Sequence, residues 1–221
     1  MVTKKRIQRP HQMNCLVCGA QSIKLILEED SKVYWRCEHC FFISLDQKFR
    51  LSPSEEKDRY EQHNNDIHDE NYRLFLSKLF KPLKDKLKDE AKGLDFGCGP
   101  GPALAEMFKE EGYGVDLYDP FFFDNERVLT KAYDFITCTE TIEHFFEPVK
   151  EFKRIDDMLV NEGFLGVMTK FLCDEKDFGQ WYYRKDPTHV AFYSPKTIEV
   201  IASMMGWTYE IPEKDVVLFK K

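Results

Sequence analysis

Leu94-Asp95-Phe96-Gly97-Cys98-Gly99-Pro100-Gly101 decides how the rest of this chain is read. Gly93 to Phe96 reads as a strand, and Leu104, Met107 and Phe108 recur at helical spacing behind it, so the glycines fall at a strand-to-helix turn. Small residues there let a ligand approach the backbone, and the helix N-terminus can meet a negative group. A dinucleotide fingerprint needs a glycine at 102, where this chain has proline, and no Gly-Lys-Ser/Thr follows to make a P-loop.

Outward from the turn the chain alternates strand and helix. Strands are expected at 113–118, 133–138 and, after a turn at Gly163, at 164–168, with Val128-Leu129 as a stub of another. Val149, Phe152, Ile155, Met158 and Leu159 have helical spacing, and Ser194-Pro195 opens a last helix that Gly206 closes. Residues 207–210 and 216–219 suit a closing antiparallel pair. The alternation implies an α/β fold with a mainly parallel sheet. Upstream, Ser52, Pro53 and Glu55 form a capping box, and Phe75, Leu76, Leu79, Phe80, Leu83 and Leu87 share a helical face in which Pro82 predicts a kink.

Cys15-Leu-Val-Cys18 and Cys37-Glu-His-Cys40 are two Cys-x-x-Cys knuckles eighteen residues apart. Four thiolates at that spacing fit a structural, tetrahedral zinc with no open position, and His39 is expected to point outward. With seven cysteines, an odd number, a disulfide framework is not expected. The chain therefore divides into a basic arm and zinc ribbon (1–45), a helical linker or lid (46–92) and the α/β domain (93–221). The net charge of −7 speaks against a nucleic-acid surface, the basic arm Lys4, Lys5, Arg6 and Arg9 apart. No apolar run is long enough to span a bilayer and no signal-like segment opens the chain, so a cytoplasmic protein is expected.

The glycine turn resembles the S-adenosylmethionine (SAM) motif of class I methyltransferases, whose Rossmann-like fold is thereby implied. Asp119 ends the next strand, where that family places an acid on the ribose hydroxyls. Tyr133-Asp134-Phe135-Ile136-Thr137-Cys138-Thr139-Glu140-Thr141-Ile142-Glu143-His144 resembles its fourth-strand motif, and 159–168 its entry to the fifth strand. The resemblance, over roughly 93–210, implies SAM contacts from Asp95, Gly97, Gly99, Gly101, Asp119, Thr139 and Glu140, with Tyr60 on the lid beside His63 and Asn64. One departure stands out: only fourteen residues separate Asp119 from Asp134, where the family has a further helix and a strand ending in an adenine-binding acid.

Glu140, Glu143 and His144 have the i, i+3, i+4 spacing that would place them on one helical face. With His189 they could hold a second divalent ion, as in small-RNA 2′-O-methyltransferases, or a histidine could act as general base. The base is the favoured reading, with His189 ahead of His144. The aromatic stretch 180–194 follows a strand end, so Trp181, Tyr183, Arg184 and His189 are expected to line the acceptor pocket. The expected activity is methyl transfer to a small molecule, by O-methylation, as in ubiquinone-pathway O-methyltransferases. The alternatives are an RNA methyltransferase that grips its substrate with the ribbon, and a non-catalytic SAM-binding interaction protein.

Overall fold

The structure, a computed structural model, describes residues 13–29, 32–62 and 66–221. The basic arm, His63 and Asn64 lie outside them. Strands β1 (Ile23–Glu29), β2 (Lys32–Cys37) and β3 (Ile43–Leu45) carry the cysteine knuckles at their ends. Helix α1 (Pro53–Tyr60) starts with the expected capping box, the Ser52 N–H donating to Glu55 at 2.8 Å. Helix α2 (Glu70–Lys84) is capped by Asp69 and buries Leu76, Leu79, Phe80 and Leu83. Pro82 lies inside α2, in its last turn, two residues before the helix ends.

The α/β part runs β4 (Lys92–Phe96), α3 (Ala103–Glu110), β5 (Gly114–Tyr118), β6 (Tyr133–Thr139), α4 (Pro148–Met158), β7 (Leu159–Met168), β8 (Ala191–Phe192), α5 (Pro195–Met205), β9 (Thr208–Glu213) and β10 (Val216–Lys220). Its sheet has the order β5-β4-β6-β7-β10-β9, with β5, β4, β6 and β7 parallel and β10 antiparallel to both neighbours. Helices α2 and α3 cover one face with Leu79, Leu83, Leu104 and Phe108, while Phe152, Ile155, Ile198 and Ile201 of α4 and α5 belong to the apolar cluster of the other. Two local expectations change. Val128-Leu129 lies in a 3₁₀ turn, Glu126–Thr130, leaving β5 as the sheet edge. Gly163 lies inside β7, beside an irregularity in its pairing with β6, not in a turn before the strand.

The ribbon is not an appendage with its own small interior. Its sheet has the order β1-β2-β3-β8, so β3 pairs with a two-residue strand from the end of the α/β domain. The Leu45 N–H also donates to the Val190 carbonyl at 2.9 Å. Tyr34, Phe42, Ile43 and Leu45 join the same apolar cluster as α4 and α5, and Thr197 on α5 donates to the Cys40 carbonyl at 2.9 Å.

Candidate active site

At the C-terminal ends of the parallel strands lies a cavity of about 380 Å³, a size that suits a drug-sized ligand. The glycine turn forms its floor. Gly97 and Gly99 adopt positive φ, and a Cβ on Gly97 would stand 2.2 Å from the Thr141 methyl, so only glycine fits there. Asp119 closes the turn: one carboxylate oxygen accepts from the Gly99 N–H at 2.9 Å, the other from the N–H groups of Phe121 and Phe122 at 2.9 and 3.2 Å. Gly97, Gly99, Asp119, Thr139, Glu140 and Tyr60, expected as cofactor contacts, all line the cavity. Asp95 and Gly101 do not. Asp95 lies beneath the turn, accepting from the Thr137 hydroxyl at 2.7 Å, and burial raises its pKa to about 6.

Tyr60 of α1 and Asp186 and His189 of the loop that follows β7 also line the cavity. Arg59 on α1 holds Asp186 through Nε and Nη2 at 3.2 and 2.7 Å, which draws the lid helix onto the loop. Arg59 and Thr188 keep the Asp186 carboxyl below the ordinary range although burial alone would raise it. The Tyr60 ring meets His144 edge-on at 5.3 Å, and the His144 and His189 rings are 5.0 Å apart. His144 Nδ1 lies 3.0 Å from the Thr188 carbonyl, and His189 Nδ1 lies 2.7 Å from the Tyr183 carbonyl. A carbonyl only accepts, so each Nδ1 carries the hydrogen, and Nε2 is the basic nitrogen of each neutral ring. Burial lowers the His144 pKa.

The expected carboxylate–histidine helix does not form. Glu140 follows β6 in the left-handed region, φ 48°, and only a short 3₁₀ turn, Ile142–His144, comes after it. Thr141 instead turns in to donate to the carbonyls of Gly97 and Thr139, at 3.2 and 2.9 Å, and this contact with the glycine turn takes the place of a helix through 140–144. Glu143, His144 and His189 still gather, one ligand atom from each lying within 4.8 Å of the others, and Glu140 stands outside this group. Glu143 is fully buried, and its oxygens already accept from the Tyr183 hydroxyl and from Thr169.

Tyr183 also reaches Glu140 at 3.3 Å, so one phenol bridges two carboxyl groups. Burial, then the charge of Glu143, raises Glu140 to about 8, and burial raises Glu143 to about 7. Between the ordinary carboxylate range and those values the folded chain keeps protons that the unfolded chain releases. The contribution of this pair to stability is therefore full at acid pH and lost as the pH rises through about 7–8. Glu140→Gln should raise Tm over wild type by about 2–4 °C at pH 8 and by little at pH 5. An equal shift at both values in a calorimetric scan would rule out the retained proton.

Of the four residues expected at the acceptor pocket, three do not line the cavity: Trp181, Tyr183 and Arg184. Trp181 packs on Tyr183 and Phe192, at 5.1 and 6.0 Å. Arg184 is buried and bonds the Phe178 carbonyl and Glu29 of the ribbon strand β1, tying the loop to the ribbon. Tyr183 is buried behind the histidines and supports them from there. Conversely, Tyr72, Asp186, Glu151 and Arg154 line the cavity without having been singled out.

The four cysteines converge as their spacing predicts, with Sγ atoms within 4.8 Å of one another and two pairs at 3.5 Å. Zn–S bonds of about 2.3 Å set sulfurs about 3.8 Å apart on a tetrahedron, so the set fits zinc. The knuckles are built alike: Val17 N–H points at Cys15 Sγ and His39 N–H at Cys37 Sγ, both at 3.4 Å, while Gly19 and Phe41 take the left-handed position after each second cysteine. His39 is exposed.

The family model described as a methyltransferase domain matches residues 68–210. The chain belongs to the methyltransferase family. The match reaches back into α2, beyond the stretch in which the sequence motifs lie. No curated protein sequence matches this methyltransferase. Among solved structures, 1,6-didemethyltoxoflavin-N1-methyltransferase of Burkholderia thailandensis, with bound 1,6-didemethyltoxoflavin and S-adenosylhomocysteine, is 12% identical, with 88% of this chain and 97% of that one covered at a TM-score of 0.53. A SAM-dependent methyltransferase of Leishmania major is 13% identical, with 76% and 81% covered at the same TM-score of 0.53. These likenesses bear on the fold, a Rossmann-like α/β methyltransferase sheet. Among the described residues, no helix of the enzyme is long and apolar enough to cross a membrane.

Proposed function

We propose that this methyltransferase transfers the methyl group of SAM to a hydroxyl of a small molecule, with His189 as general base. SAM, when bound, supplies an electrophilic methyl on a sulfonium. The glycine turn and Asp119 hold its methionine and ribose parts, and α1 with Tyr60 covers the pair against water. An oxygen nucleophile must lose its proton as the C–O bond forms and the C–S pair returns to sulfur. The observation that carries the reading is the fixed tautomer: Tyr183 O holds the His189 Nδ1 hydrogen, so Nε2 is the nitrogen that takes the acceptor proton. His144, held the same way by Thr188 and in ring contact with Tyr60, orients the acceptor beside it. A base is favoured over a divalent ion because Glu140 stands outside the group formed by Glu143, His144 and His189, which leaves three of the four expected ligands together. The resemblance to ubiquinone-pathway O-methyltransferases points to oxygen as well.

Labelled methyl transfer from SAM into fractionated cell extract tests the acceptor class. Label is expected in small molecules, resistant to RNase and protease; label lost to RNase would instead identify an RNA acceptor. The cofactor site has its own test. Asp119→Ala should weaken S-adenosylhomocysteine binding about 10- to 100-fold, the worth of roughly 1.5–3 kcal/mol in charge-assisted bonds. Unchanged calorimetric affinity in that variant would place the ribose elsewhere.

A further inference from the structure

The shortened segment after β5 removes the strand end from which an acid would reach the adenine. What stands there instead is one face of α4. Phe96, Tyr118, Phe122 and Phe145 line the cavity with Asp119, and Tyr118 directly precedes Asp119 in the chain. The Phe96 and Tyr118 rings lie 5.3 Å apart at 33°, and Phe145 meets Phe96 edge-on at 6.2 Å. This apolar end is the place for the purine if the ribose is at Asp119. Glu151 and Arg154 line the same cavity and also the open groove outside α4, so they stand where the purine end meets the surface. They are one helical turn apart, with Nη1 to Oε2 at 3.7 Å, and the guanidinium lies 5.4 Å from the Tyr118 ring centre and 6.0 Å from that of Phe96.

We infer that Glu151 reads the adenine, accepting from its exocyclic amine, and that Arg154 holds Glu151 in place across the Phe96–Tyr118 rings. The chemistry selects adenine. Its N6 amino group donates, and a carboxylate only accepts. Hypoxanthine carries an oxygen at that position, which a carboxylate repels. The other acids at the cavity have other places: Asp119 stands at the ribose, Asp186 is bound to Arg59 and Thr188, and Glu140 accepts from the Tyr183 hydroxyl at 3.3 Å. Helix α4 thus supplies from the sheet face the contact that the missing strand would supply from the sheet edge.

The inference rests on the SAM reading of the cavity, and one titration separates the two. S-adenosyl-L-homocysteine and S-inosyl-L-homocysteine, which differ at C6 (amino against oxo) and in the proton that the oxo form carries on N1, are titrated into the full chain by calorimetry. Wild type should prefer the adenosyl compound by about 10- to 100-fold. Glu151→Ala should lose most of that preference through weaker adenosyl binding, with inosyl binding unchanged or tighter. Glu151→Gln, whose amide can accept or donate, should bind both compounds within a few-fold of each other and guards against a folding defect in the alanine variant. Equal loss for both compounds, or a preference that survives in both variants, overturns the role of Glu151 and leaves the SAM reading intact. A wild type that binds neither compound overturns both.

Discussion

His189→Ala slows methyl transfer by about 10²–10⁴ while S-adenosylhomocysteine affinity stays within a few-fold of wild type. On the proposed function the two readouts separate, because His189 lies on the loop after β7 whereas the cofactor would be held by the glycine turn and Asp119. His144→Ala should cost less, because its ring orients the acceptor without taking the proton. Single-turnover rates on the isolated acceptor, with calorimetry on the same preparations, make the comparison. A His189→Ala enzyme at the wild-type rate would mean that the acceptor needs no base, as an intrinsically nucleophilic nitrogen does not, and the reaction would then proceed by alignment alone.

Cys37→Ser, by contrast, acts far from the cavity floor yet should abolish activity. Wild type is expected to carry one zinc per chain on Cys15, Cys18, Cys37 and Cys40, and the variant close to none. Structural zinc contributes on the order of 10 kcal/mol to folding in small finger peptides, so losing it releases the knuckles. Strand β3 then loses its frame, and with it go the pairing to Ala191–Phe192 and the bond from Leu45 to Val190, next to His189. Elemental analysis, thermal melts and transfer assays on one sample should show all three losses together. A zinc-free variant with full activity would show that the ribbon does not hold the loop after β7.

The parts of the site that sequence reveals are those whose chemistry is local. The glycine turn, Asp119 at a strand end and the two knuckles each declare themselves within a few residues, and each forms as the spacing predicts. The misses are long-range. Glu140, Glu143 and His144 have helical spacing, but Thr141 turns in to Gly97, 44 residues away, and that contact takes the place of the helix. Arg184 looks like an acceptor ligand until Glu29, 155 residues distant, claims it. Strand β8 has two residues, too few for any periodicity to show. Glu151 and Arg154 have the pattern of an ordinary solvated helix face. Only the shortened segment beside them turns that face into a cavity wall.

The pairing of β3 with β8 also sets an order of events during synthesis. The knuckles and the hairpin of β1 and β2 are local and can close around a metal as soon as they emerge. Their partner strand lies near residue 191, and at about 5–20 residues per second it follows roughly 10–30 s later. For that interval Tyr34, Phe42 and Ile43, buried in the finished molecule, have no mate, and the free edge of β3 is open to any other strand. The nascent chain is thus open to aggregation at its earliest-formed part until β8, late in the sequence, emerges to protect it.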